Sequence, residues 1–292
     1  MRTILTQSCK KHLTLKPFNL KHEPSTDFII SQWQCDRTSP TIAYGFYRIS
    51  MFVIFFVSWI FTYLKESPAG KPRWPIYLTN WGFTLCLIQS LLCSVMVVGS
   101  LLGDRLASKN SFKEKVLKLY RVYWITNVTA TPVAFTISII YWSLIFKAEG
   151  ANFTAMNFIV HGLNSIVVLL DLCIVCHPVK IFHFIYPLLL ALCYTIFSIT
   201  FYVAGGTTKT GSRYIYPILK WDQPGRTTGI CAGVMVLMIF LHLFTFLLYK
   251  LRMRLYMRFV CPKIDLSCPL SEKEQNESPR SNADEALGND YV

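Results

Sequence analysis

Apolar residues in this chain gather into six blocks: Ala43–Leu64, Tyr77–Leu102, Val122–Phe146, Phe153–Cys176, Ile181–Val203 and Gly229–Tyr249. Each block is bordered by charge, proline or glycine, and none alternates apolar with polar positions as a barrel strand would. A helix needs roughly 20 apolar residues to cross about 30 Å of hydrocarbon, and every block meets that length. Only His177-Pro178-Val179-Lys180 divides the fourth block from the fifth, so the count rests on that break. The pattern predicts an all-α fold, a polytopic membrane helical bundle of about six transmembrane helices over residues 43–249. An N-terminal segment, residues 1–42, and a C-terminal segment, residues 250–292, flank it.

Composition agrees with the class, and charge adds a direction. Apolar residues make up 53% of the chain and charged ones only 15%, which excludes an ordinary soluble domain. A net charge of +13 could suggest nucleic acid in a soluble protein. Here the basic residues are sorted: the N-terminal segment, the second and fourth loops and the run after the last block carry 18 Lys and Arg, and the remaining loops carry 8. By the positive-inside rule both termini are expected in the cytoplasm, with no nucleic-acid partner. Trp74, Tyr77, Trp81, Tyr123, Trp124, Trp142 and Tyr249 fall near block ends, where interfacial anchors are expected. Met1–Pro40 is polar and basic, so the first helix is expected to act as the signal anchor. The basic run Lys250–Arg258 suits anionic inner-leaflet lipid. Asp265–Val292 holds seven of the 16 acidic residues and reads as a disordered tail. The host membrane, plasma membrane or endoplasmic reticulum, and the oligomeric state are left open by the sequence.

The ten cysteines form no extracellular disulfide pattern. Cys173-Ile-Val-Cys176-His177 matches a haem-attachment string, but its place at a membrane-helix end favours coincidence. Cys261 and Cys268 follow the basic run and are palmitoylation candidates. Of the sequons at Asn127, Asn152 and Asn276, only Asn152 falls on the expected outer side, and it abuts the membrane. Six scattered histidines with no close His box argue against a metal-dependent lipid oxidase or desaturase, and neither a metal nor a cofactor is expected. No internal repeat suggests a transporter.

Polar residues inside membrane helices are costly and usually face the bundle interior or a water-filled cavity. The fourth block carries the densest set: Asn157, His161, Asn164, Ser165 and Asp171. At 100° per residue the first four share one stripe, which Asp171 continues. The second block supplies a facing stripe of mostly small residues from Thr79 to Cys93. Thr79 and His161 both lie within roughly 5–12 Å of the same predicted interface, counting 1.5 Å per helical residue. His242 falls in the opposite half of its helix. A threonine hydroxyl becomes a nucleophile when a base takes its proton, and neutral imidazole suits that task near pH 7. Asn157 or Asn164 could orient the ring or donate to an oxyanion. The commoner reading of each group is structural, the threonine bonding back to its own helix and the histidine making one interhelical bond.

Several short motifs, in order, carry a resemblance. Tyr77-Leu-Thr-Asn-Trp-Gly-Phe83, His161-Gly-Leu-Asn-Ser165 leading to Leu169-Leu-Asp171, and Tyr214-Ile-Tyr-Pro217 with Trp221-Asp222 and Pro224-Gly225 are similar to the rolling stone family over about Ala43–Tyr249. That family of animal multi-pass proteins takes its name from an insect protein needed for myoblast fusion. More distantly, the same landmarks resemble the androgen-induced protein family of intramembrane hydrolases, which cleave fatty acid esters of hydroxy fatty acids with a Thr and a His. Leu78-Thr79, Asn157 four residues before His161, Asp171 ten after it, and Tyr216-Pro217 with Pro224-Gly225-Arg226 match that pattern. Gly205–Gly211, Asn80-Trp81 and Gly162-Leu163 depart from it, which bears on the substrate.

The resemblance implies a lipid ester hydrolase with Thr79 as nucleophile, His161 as base and then acid, and Asn157, Asn164 and Asp171 as supporting polar groups. Asp171 lies some 15 Å along the helix from His161, too far to touch it. The expected partners are membrane lipids, with a lipid ester as substrate. The alternative is a non-catalytic factor in cell–cell fusion or adhesion.

Overall fold

The computed structural model describes residues 19–105, 110–146 and 153–260. Asn152, Cys261, Cys268, Asn276 and the acidic tail lie outside the described residues. Within them the chain is helical, and each apolar block contains a helix. These are α1 (Ile42–Leu64), α2 (Leu78–Arg105), the short α3 (Asn110–Leu117), α4 (Tyr120–Ile140), α5 (Ile159–Ile174), α6 (Ile185–Val203) and α7 (Pro224–Leu255). Five helical runs are long and apolar enough to cross a bilayer, while α5 is shorter. A preceding turn, Ala155–Phe158, extends the helical course of the fourth block. Helix α7 outruns its apolar block at both ends, because Pro224 suits a first helical turn and Lys250–Leu255 continues the helix on polar residues.

Helix α4 is the centre post. Of its most apolar stretch 67% is buried, against 22% for each of α1, α6 and α7. Its sequence explains this: Asn127-Val-Thr-Ala-Thr-Pro-Val-Ala134 is small or polar, and small residues let neighbours approach closely. Pro132 removes one backbone donor, and Thr131 and Thr136 bond back to Asn127 O and Pro132 O. Asn127 also donates its amide to Gln89 on α2, so this sequon lies inside the bundle. Gly82 on α2 meets α4 where any Cβ would strike Ile137 and Val133. Outward, α1, α6 and α7 present Phe46, Val57, Leu64, Val203, Phe240 and Leu247. Such a continuous apolar belt is what hydrocarbon requires and water would not tolerate.

Residues 19–41, a polar flank by composition, cover one end of the bundle. Phe28, Ile29 and Ile30 are fully buried there. Phe28 stacks on His177 at 5.3 Å and meets Trp124 edge-on at 5.1 Å. Gln32 N–H donates to Ile174 O, Ser31 pairs with Val175, and the Trp33 indole donates to Cys173 O. Tyr123 and Trp124 are therefore core residues and not interfacial anchors, since this segment roofs them over.

A charged pair sits beneath that roof. Arg48 on α1 donates to Asp171 on α5 at 2.7 Å, with both side chains buried. Tyr47 donates to the same carboxylate oxygen at 2.9 Å, and Arg48 Nε and Nη2 donate to the Tyr44 hydroxyl while Nη1 also meets Met51 Sδ. Ser94 on α2 donates to Arg48 O, so three helices meet at one arginine. A buried ion pair offsets its desolvation only with good geometry and further hydrogen bonds, and both are present. Nearby, Arg252 donates to Leu172 O at 2.6 Å and His177 O at 2.9 Å, capping carbonyls that the end of α5 leaves without helical partners.

Candidate active site

The opposite end of the bundle is hollow. A cavity of about 410 Å³ lies among the start of α2, the end of α4, the start of α5, α6, and the start of α7. Its polar lining includes Thr79, Asn157, His161, Thr195 and Tyr216, and its apolar walls include Ile137, Ile140, Leu219 and Met238. Pockets of roughly 300–1,000 Å³ with a few convergent polar groups are typical of small-molecule sites.

Two wide helical turns shape this space. Helix α4 passes into one at Tyr141–Ile145, and α5 opens with another at Ile159–Leu163. Such turns insert a residue into the helical ladder and often accompany functional sites. Here they bring Tyr141 and His161 face to face, with ring centroids 3.4 Å apart and planes 11° from parallel. Ser138 on α4 donates to His161 O, and its oxygen lies 2.6 Å from the Ser165 hydroxyl, which donates to Ala134 O. This serine ladder fixes the backbone that carries His161. The imidazole Nδ1 is buried without a hydrogen-bond partner among the described residues, a costly state that a polar ligand or water would relieve.

Thr79 lies at the other wall, in the first turn of α2. Its N–H donates to the Tyr216 hydroxyl at 3.4 Å. Asn80 is held by donating to Trp74 O, and Tyr194 donates to Ile76 O, which fixes the entry into the helix. Tyr216 comes from the loop between α6 and α7, which folds back over the cavity. At the rim, Lys209 of that loop pairs with Glu66 at 3.1 Å, and Arg73 donates to Thr207 O at 2.8 Å.

The five polar residues singled out by sequence thus divide. Thr79, Asn157 and His161 line one cavity, whereas Asn164 and Asp171 do not. Asn164 is fully buried, and its carbonyl accepts from Ser165 N–H. Asp171 is taken up by Arg48 and Tyr47 at the roofed end. His242 contacts Lys180 O and lies away from the cavity. Tyr194, Tyr216, Tyr141 and the two wide turns carry no periodic signal. Only the Tyr214–Pro217 motif pointed toward one of them. Among the described residues, no group of three metal-ligating side chains is placed to hold an ion, and the cysteines described are free thiols.

This geometry defines a multi-pass helical membrane protein with a partly polar, partly open cavity at one end of its bundle. Comparison with known sequences places it more narrowly. A family model described as Protein rolling stone matches residues 3–263. Protein rolling stone of Drosophila melanogaster is 31% identical over 252 residues, which span 84% of this chain and 90% of that protein. The chain belongs to the rolling stone family. The match begins well before Ala43, and so takes in the segment that roofs the bundle. No solved structure matches the chain.

Proposed function

We propose that the protein is an intramembrane lipid ester hydrolase with Thr79 as nucleophile and His161 as general base. One observation carries the reading: Thr79 on α2, His161 on α5 and Asn157 in the turn that leads into α5 line a single cavity with apolar walls. In the orientation favoured by the charge distribution, that cavity lies toward the outer or lumenal leaflet. Its size admits an ester group with the adjoining methylenes of one acyl chain.

The reaction proceeds in two stages. The imidazole removes the Thr79 hydroxyl proton as Oγ1 bonds to the ester carbonyl carbon, and the carbonyl electron pair moves to oxygen. Collapse of that adduct breaks the ester C–O bond and leaves an acyl group on Thr79, while the imidazolium returns its proton to the departing alcohol. Water then repeats the sequence, releasing the fatty acid and restoring both residues. Asn157, in the turn that leads into α5, supplies an amide to the polar wall. The apolar walls lower the local dielectric, which strengthens each charge–dipole interaction beside them. Thr79 and His161 stand on different walls of the cavity, so the ring reaches the hydroxyl through substrate or a bridging water.

The test is labelling of membranes with a fluorophosphonate probe. The wild-type protein is expected to be labelled at Thr79, and Thr79→Ala and His161→Ala to lose labelling while remaining folded. If folded wild type is unlabelled, or the variants label equally, the hydrolase is wrong. The non-catalytic role in cell–cell fusion or adhesion implied by the family resemblance would then stand.

A further inference from the structure

The loop between α6 and α7 contributes one hydroxyl to the cavity that the two-residue mechanism leaves unused. Gly205 and Gly211 adopt φ of 73° and 80°, a left-handed backbone that glycine enters without strain. Thr208 N–H donates to Ser212 O between them, so the chain reverses over the start of α2. Tyr216 is thereby set against Tyr77, with ring centroids 5.9 Å apart. Its oxygen accepts from Thr79 N–H at 3.4 Å.

We propose that Tyr216 is a third catalytic residue, the hydrogen-bond donor to the oxyanion that forms when Thr79 attacks an ester. This rests on the hydrolase reading above. The oxyanion is attached to the carbon that has just bonded to Thr79 Oγ1, so a donor within reach of Oγ1 is within reach of the oxyanion. A phenol oxygen that accepts an amide N–H keeps its own proton for another partner. The Tyr194 hydroxyl donates to Ile76 O and so has no proton to offer the same oxyanion. Burial raises the Tyr216 phenol above its ordinary range, so the proton stays on it at neutral pH. No proton leaves Tyr216 in this step: it shares one hydrogen bond with the developing charge while His161 handles transfer.

The role also explains why the loop is tied at the rim. Displacement of Tyr216 by an ångström would spoil an oxyanion contact, and the Lys209–Glu66 pair and the Arg73–Thr207 bond tie the Gly205–Gly211 turn down at the cavity mouth.

The test uses full-length protein purified in detergent, with p-nitrophenyl butyrate as substrate and a fluorophosphonate as active-site label. Tyr216→Phe keeps the ring and deletes the donor. It is expected to lower kcat by about 10²–10³-fold with KM and melting temperature unchanged, the usual loss for one oxyanion donor. Replacing Tyr216 with 3,5-difluorotyrosine, a stronger acid, should restore turnover and shift the alkaline limb of the pH–rate profile to lower pH. A labelled, active wild type with unchanged kcat in Tyr216→Phe overturns this proposal and leaves the hydrolase standing. Loss of kcat together with lowered melting temperature, and no shift of the alkaline limb on fluorination, makes Tyr216 structural and also overturns it. Wild-type protein that is neither labelled at Thr79 nor active removes the hydrolase, and this role with it.

Discussion

The two ends of the bundle solve the same problem in opposite ways. At one end, residues 19–41 fold over the helices, Phe28 fills the space among Trp124, Tyr123 and His177, and the buried charges Arg48 and Asp171 find each other. At the other end α4 and α5 pass through two wide turns, and a cavity remains into which His161 turns. Polar groups are buried at both ends. At the roofed end the charges are paired, and the histidine nitrogens without a partner among the described residues belong to His177 and His183, whose rings pack on Phe28 and Trp124. At the hollow end the polar groups face a shared space, as binding or chemistry requires. The contrast shows that burial of polar residues in a membrane helix does not by itself mark a site; what they face does.

The contrast can be broken by substitution, and the largest effects are expected at the roofed end. Asp171→Ala leaves Arg48 buried and unpaired, and should cost about 3–5 kcal/mol, read as a large fall in melting temperature in detergent. Replacing both partners by apolar residues should recover much of that loss. Phe28→Ala should cost a comparable or slightly smaller amount, about 3–5 kcal/mol for a fully buried aromatic ring, although the residue lies in a polar flank. If melting is unaffected by Phe28→Ala, the roof is not part of the cooperative fold. Gly82→Val, where α2 and α4 touch beside the cavity, should cost about 1–3 kcal/mol by overpacking. Smallest is Lys209→Ala at the rim, up to about 1 kcal/mol, because that ion pair is half exposed. A larger thermal effect of Lys209→Ala than of Asp171→Ala would reverse the assignment of the two ends.

Much of the architecture is legible in the sequence because bilayer thickness imposes a length on each apolar block. The helices, their approximate ends and the class of fold follow from that one constraint. Within the site, helical periodicity and depth bring Thr79, Asn157 and His161 to one end, since rise per residue is fixed. The same reasoning cannot tell which side-chain partner a residue will take. Asp171 shares the stripe of His161 yet is drawn to Arg48, because an opposite charge within reach outweighs alignment along a helix. Tyr216 arrives on an irregular loop whose path depends on Gly205 and Gly211, and no periodicity describes it. The wide turns at Tyr141 and Ile159 depend on how two helices fit each other, a property of neither sequence alone. The roof was hidden for a different reason: Phe28-Ile29-Ile30 is three apolar residues in a basic flank, too short a run to signal burial.

That roof has a consequence for the order in which the protein is made. The N-terminal segment leaves the ribosome first, but Phe28 needs Trp124 on α4 and His177 after α5, and Ser31 needs Val175. Those surfaces are complete only once four of the six apolar blocks have been synthesised and laid side by side. Residues 19–41 must therefore wait, unpacked, through most of translation and insertion, and their docking reports that the bundle has assembled in the right register.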